Sequence, residues 1–239
     1  MKFYTFLTLF GCLLTLNTYA QINVLVNVSE PVDESRYKDI KRHPYLFDEF
    51  VDGWLVDTKT RKPLLAKVNY NGYEKEFEFE AKGKKYLLDG NYYVKASLKN
   101  GPLNPAYQEK MMSGDSTFFL KAINPNDNTG FYISLLLSDE INIIKSFEVN
   151  IVENEVQDVG RTITRKYFAP KFFYFAVKQG QMEQFKLNKK GVLEVFSNKK
   201  NMEAFSKSKK VEDFIKSNKL KVNSDAELKQ VISFYQSIR

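Results

Sequence analysis

Few residues in this sequence have the type and spacing to do chemistry, and its single histidine heads them. His43 stands in Arg42-His43-Pro44-Tyr45. A histidine works as a general base only beside a nucleophile and an orienting carboxylate, a grouping that folding alone could assemble. Pro44 biases His43 toward extended backbone, so a structural or exposed histidine is the expectation. The second candidate is the carboxylate ladder Glu74, Glu76, Glu78 and Glu80. On one face of a strand, neighbours would stand about 6.5–7 Å apart, which overlaps the separation an inverting glycosidase needs. Nothing in the sequence would set one of these carboxylates apart from the next, and the ladder reads as a solvated face. Asn124-Pro125-Asn126-Asp127-Asn128-Thr129-Gly130 has the polar density of a calcium loop, but it holds one carboxylate and no glycine at its sixth position, so it reads as a hairpin turn. One histidine, and no cysteine once Cys12 leaves with a cleaved signal, would leave a zinc site dependent on carboxylates. Glycine-rich phosphate loop, nucleophile elbow and HExxH are all absent from the sequence. The expectation is a protein without catalytic residues, metal or cofactor, and the alternative is a carboxylate-based glycan hydrolase.

Binding is better provided for than catalysis. The chain holds 20 Phe, 14 Tyr and 1 Trp. Adjacent pairs such as Tyr92-Tyr93, Phe118-Phe119 and Phe131-Tyr132 put one ring on each side of a strand. One side must be core. Trp54 and outward tyrosines, Tyr92 and Tyr93 among them, are the candidates for a sugar or lipid platform, unless helices cover that side. The other candidate surface is cationic. Residues 178–239 carry 14 Lys and Arg against 7 Asp and Glu, so the whole formal charge of +7 lies in this C-terminal quarter. Lys207, Lys209 and Lys210 could meet anionic lipid, but a charge run of this kind is ordinarily the wet side of a helix docked through Val211, Phe214 and Ile215. A weak attraction to an anionic membrane would follow either way, which makes a peripheral membrane binder the third functional reading. Nucleic acid is not an expected partner, because no aromatic stacking residues are interleaved with these lysines.

The elements that must carry these groups show two periods. From Gly53 to Lys99 apolar residues alternate with polar ones. Asn71-Gly72 between Lys62–Tyr70 and Tyr73–Glu80 predicts a tight hairpin, with Lys67 opposite Glu76. Leu64, Ala66, Val68 and Tyr70 then share a side with Tyr73, Phe77 and Phe79. Ala81-Lys82-Gly83 and Asp89-Gly90-Asn91 turn the chain again, as in a β-meander. Strands follow over 117–123, 130–137, 141–152, Arg161–Phe168, Lys171–Val177 and 181–187. After Lys189 the spacing becomes helical, and Ser224-Asp225-Ala226-Glu227 fits a capping box ahead of Leu228, Val231, Ile232 and Tyr235. The fold class is α+β. About ten strands of antiparallel β-meander form a strongly curved sheet or partly closed barrel, with two to three C-terminal helices packed on it.

Residues 1–20 read as a secretory signal: Lys2, an apolar run to Leu16 broken by Thr5, Thr8 and Thr15, and small Ala20 before the cut. Polar residues interrupt that run too early for a transmembrane anchor. Leu9-Phe10-Gly11-Cys12 approximates a lipobox, but Phe10 fits it poorly, and simple cleavage is expected. The exported chain would then lack cysteine altogether. The organisation expected is a signal peptide (1–20), an N-terminal segment (21–52), an antiparallel β domain (53–188) and a basic helical segment (189–239).

Residues 43–79, HPYLFDEFVDGWLVDTKTRKPLLAKVNYNGYEKEFEF, resemble the opening of a group of uncharacterised exported proteins of Bacteroidota, in which a PYL-F segment precedes paired strands. The ending, FYFAVKQGQMEQFKLNKK through to AELKQVISFYQSIR, resembles the same group, with His43 and Gln236 as departures from it. The resemblance implies a periplasmic or outer-membrane-associated envelope protein and carries over no activity or functional residue. The partner expected is an envelope protein, a glycan or a lipid.

Overall fold

The computed structural model describes residues 29–57, 63–89, 93–99, 116–121, 130–197 and 202–238. The signal segment with Cys12, the loop Asn124–Thr129 and Tyr92 lie outside these residues, as does the side chain of Tyr93. The architecture is α+β: one large sheet and three helices at its C-terminal end. Strands are β1 (Ile40–Lys41), β2 (Val51–Asp57), β3 (Pro63–Asn71), β4 (Glu76–Ala81), β5 (Lys84–Leu87), β6 (Tyr93–Lys99), β7 (Ser116–Lys121), β8 (Phe131–Leu136), β9 (Asn142–Asp158), β10 (Arg161–Lys178) and β11 (Gln181–Phe185). Helices are α1 (Lys189–Phe196), α2 (Met202–Ser217) and α3 (Asp225–Ser237).

The strand order is β1-β10-β9-β8-β7-β6-β2-β3-β4-β5, with β11 on the free stretch of β10. This departs from one continuous meander, because β6 returns to pair with β2 rather than β5. Two meanders are thus joined back to back. The ladder is open, but the chain before β1 spans its two ends. The amide of Val32 donates to the carbonyl of Lys85 on β5, and Ile40 lies in parallel register with Lys166 on β10.

Three local differences from the sequence reading have clear causes. The β3–β4 hairpin closes through four residues, Gly72–Lys75, so Asn71 pairs with Glu76 and Lys67 with Glu80. Lys67 therefore does not face Glu76. The positive φ falls on Lys75 (62°), and Gly72 serves close approach instead. A Cβ there would come within 2.5 Å of Phe147 and 2.8 Å of Val149, while the Gly72 carbonyl accepts from the Val149 amide at 3.0 Å. Second, β10 runs unbroken through Pro170, where two separate strands were expected. Pro170 lies between the stretches paired to β1 (Lys166, Tyr167) and to β11 (from Tyr174), so on that edge no ladder bond is lost. Third, the helices do not roof the whole sheet. They cover only the β8–β11 end, burying Val192, Val211, Ile215, Leu228, Val231 and Ile232 against Ile143, Tyr174 and Ala176.

The other core is filled by side chains from both halves of the sheet together with Leu46 and Phe47 of the N-terminal segment. Tyr70, Phe77, Phe119 and Phe131 meet with ring centroids about 5 Å apart. As the alternation predicts, Val68 and Tyr70 face this core together with Phe77 and Phe79. No helix among the described residues is long and apolar enough to cross a membrane.

Candidate functional site

Three places in the fold concentrate chemistry, and each begins from a strand position. The first is the outer face of β3, β2, β6 and β7. Register puts Leu65 opposite Trp54, Trp54 opposite Ser97 and Ser97 opposite Phe118, one row across four strands. Because side chains alternate, inward Gly53, Leu55 and Ala96 leave Trp54 and Phe118 pointing out. They are 50% and 56% exposed, in contrast to Phe119, the inward member of its pair, at 1%. Around the row stand exposed Lys95 and Lys99, and the exposed pair Asp52–Lys67 at 3.0 Å.

The second place is the neighbouring part of the same face, covered by the N-terminal segment. Asn69 fixes that cover: its amide donates to the carbonyls of Phe47 (2.8 Å) and Glu49 (3.0 Å), and its oxygen accepts from the Phe47 amide. Beneath it Glu78 is fully buried, contrary to the expectation of a solvated ladder. Three groups donate to its carboxylate: the Arg36 guanidinium, the Tyr45 hydroxyl at 2.8 Å and the Asn71 amide at 2.8 Å. Glu74 lies in the turn and accepts from the Tyr37 hydroxyl at 2.9 Å. Glu76 is half-buried, and burial, followed by the charges of Glu74 and Glu78, pushes its pKa up. Burial also pushes the Tyr37 and Tyr45 hydroxyls above the usual phenol range, with the Glu78 charge adding to the effect at Tyr45. Glu80 is exposed. Glu76 and Glu78 follow each other along one strand rather than facing across a groove, which is not the two-sided arrangement a glycosidase uses. His43 is held locally: its Nδ1 accepts from the Tyr45 amide at 3.3 Å and its Nε2 lies 3.1 Å from Asp48.

The third place joins sheet and helices. Lys145, on the apolar side of β9 between Ile143 and Phe147, donates to Asp225, the first residue of α3. The Tyr174 hydroxyl donates to the other Asp225 oxygen at 2.8 Å. Lys145 is 1% exposed, and its ammonium lies 4.4 Å from the centre of the Phe172 ring. Burial lowers the Lys145 pKa, and Asp225 opposes that shift without cancelling it. Ser224 caps α3 by accepting from the Glu227 amide at 3.3 Å, while Glu227 reaches back to the Asn223 amide at 3.0 Å. Beside Tyr174 a cavity of about 330 Å³ opens toward Lys186 and Asn223.

Lys207 is half-buried, and Lys209 and Lys210 are exposed, on α2, whose Val211 and Ile215 are fully buried. They lie on the helical end and do not join the Trp54 row. The outward ring that completes that row, Phe118, was signalled by its adjacent pair with Phe119. Lys145 had a signal too: period two puts it in phase with apolar Ile141, Ile143, Phe147 and Val149. Among the described residues no three His, Cys, Asp or Glu side chains cluster to hold a metal ion. No family model, no curated protein and no solved structure matches this chain.

Proposed function

We propose that this is an exported, non-enzymatic protein of the bacterial cell envelope that binds a ligand or partner on the outer face of its curved sheet. The observation that carries this reading is the pair of half-exposed rings, Trp54 and Phe118, aligned across β2, β6 and β7 where the N-terminal cover ends. Large exposed aromatics on a rigid sheet lose little entropy on binding, which suits recognition. The signal-like residues 1–20 and the resemblance of residues 43–79 to exported Bacteroidota proteins support the location. The strand-spanning contacts of residues 30–41 support reading the sheet as a partly closed barrel, a stiff frame for that face.

Trp54 is the only tryptophan, so its emission reports on the proposed surface directly. The test is capture from solubilised native envelope by the protein carried as wild type, Trp54→Ala and Phe118→Ala. The expected result is a molecule retained by wild type, lost from both variants, and able to shift the Trp54 emission. Equal capture by all three, or intact chain in the cytoplasm with residues 1–20 attached, would overturn the reading.

A further inference from the structure

We infer that the Trp54 face takes an extended glycan, one sugar ring stacked on Trp54 and another on Phe118. The inference rests on the binding role proposed above and names its ligand class. Trp54, Ser97 and Phe118 are directly opposite one another on three adjacent strands. Two inter-strand steps of about 4.8 Å put the backbone positions that carry the two rings about 10 Å apart, perpendicular to the strands. That distance exceeds one sugar ring and suits two rings of one chain with a further unit or linkage between them. The gap is not apolar. Ser97 fills it, and Lys95, Lys99, Asp52 and Lys67 edge the row.

This pattern separates a glycan from the other occupants of an aromatic surface. A protein interface core is contiguous and apolar, and lysine and aspartate are depleted from it. A bilayer likewise asks for a continuous apolar face, which Ser97 and the Asp52–Lys67 pair interrupt. A pyranose presents the opposite arrangement: an apolar C–H face the size of one aromatic ring, rimmed by hydroxyls that need donors and acceptors. Two rings with a serine hydroxyl between them, Leu65 beside Trp54 and charged groups around the row match that chemistry ring by ring. Since β2, β6 and β7 are internal strands of the sheet, the ring spacing is fixed before binding.

Bridging two platforms makes chain length the readout. The wild-type protein is applied to a broad array of host, plant and bacterial glycans beside the Trp54→Ala/Phe118→Ala double variant, and each retained glycan is titrated in solution as di-, tetra- and hexasaccharide. Trp54 emission reports binding to wild type, and calorimetry reports it for the variants. The expected result is retention that the double variant lacks, with at least about tenfold tighter binding of the tetrasaccharide than of the disaccharide. The single variants Trp54→Ala and Phe118→Ala should each abolish that gain while keeping the wild-type melting temperature, since both side chains point away from the core. An array on which wild type and double variant behave alike overturns the inference, as does affinity that ignores chain length. If the array is blank but a protein captured from envelope depends on both rings, the binding role stands and the glycan falls. If both are blank, both fall.

Discussion

The fold fastens a segment to its sheet twice with a buried charge pair, and the two fastenings are built in opposite ways. At the N-terminal one the carboxylate belongs to the sheet (Glu78) and the cation to the segment outside it (Arg36). At the C-terminal one the cation belongs to the sheet (Lys145) and the carboxylate to a helix (Asp225). Glu78 has three donors from three places in the chain, and the Arg36 side chain keeps 23% of its surface in water. Asn69 and the Gly72 amide, which donates to the Pro44 carbonyl at 2.9 Å, hold the same segment independently. Lys145 and Asp225 are both essentially dry, and the Tyr174 hydroxyl also donates to Asp225. Asp225 also sits in the first turn of α3, where the helix dipole favours a carboxylate. The difference is one of access to water: the Arg36 side chain already reaches solvent and can turn to it, whereas Lys145 and Asp225 are both enclosed.

The largest expected effect therefore belongs to the dry pair. Asp225→Ala leaves a lysine uncompensated in the core and should destabilise by about 3–5 kcal/mol, read as a shift in urea midpoint at constant slope. Replacing both members, Lys145→Met with Asp225→Leu, should restore most of the loss, because the penalty comes from the unpaired charge rather than from the missing contact. A small loss for Asp225→Ala alone would break the comparison. Next in size comes Glu78→Gln. The amide keeps the shape and some hydrogen bonding, and Arg36 can turn to solvent, so roughly 1–3 kcal/mol is expected. A Glu78→Gln loss equal to that of Asp225→Ala would mean that the solvent access of Arg36 makes no difference.

The tyrosines sharpen the same contrast through pH. Burial raises the hydroxyls of Tyr174, Tyr45 and Tyr37 above the ordinary value of 10.0. The native state then holds these protons after the unfolded chain has released them. Their stabilisation is complete below about pH 10 and is lost as pH rises past it. Lys145 works the other way. Its pKa lies below the ordinary 10.5, so the unfolded chain binds more protons in the window beneath that value, and stability rises with pH there. The lysine contribution is complete above about pH 10.5, whereas the tyrosines act from about pH 10 upward, so the urea midpoint should fall from about pH 10.5 to about pH 11.5. Tyr174→Phe should reduce that fall and lower stability at pH 8, whereas Tyr45→Phe should reduce the fall with less loss at pH 8. A midpoint that holds steady from about pH 10.5 to about pH 11.5 would contradict the burial of all three.

How much of this could be read from the sequence depended on how far away the deciding partner lay. Alternation alone put Val68, Tyr70, Phe77 and Phe79 on one face, and the capping box marked the start of α3 at Ser224. Both are decided within a few residues. The hairpin register was misread because Asn71-Gly72 has the form of a two-residue turn, whereas Gly72 answers to Phe147 and Val149 across the fold. Glu78 looked like one of four equivalent carboxylates until residues 36 and 45 covered it. Lys145 was visible as a charge in the apolar phase of β9, but its partner lies 80 residues on, in a position that local reading assigns to capping. The pair Phe118-Phe119 showed that one ring faces outward but not which, and the alignment of Phe118 with Trp54 required β6 to cross back to β2.

The smallest expected effect tests what the comparison rests on. On α2 Lys216 contacts Glu212 at 2.6 Å, one turn apart, with both side chains about half exposed. The contact is close enough to hold Glu212 below the usual carboxylate range and Lys216 above the usual lysine range. If distance set the energy, Lys216→Ala would rank near Lys145→Ala. It should instead leave the melting temperature unchanged within error, because water and salt screen an exposed pair and ordering two long side chains offsets the attraction. Lys145→Ala, which strands Asp225 and Tyr174 in the core, should lower it by several degrees. A Lys216→Ala shift of comparable size would show that the lysine-rich helix is held by its charges rather than by Val211 and Ile215, and burial would no longer explain why the two fastenings differ.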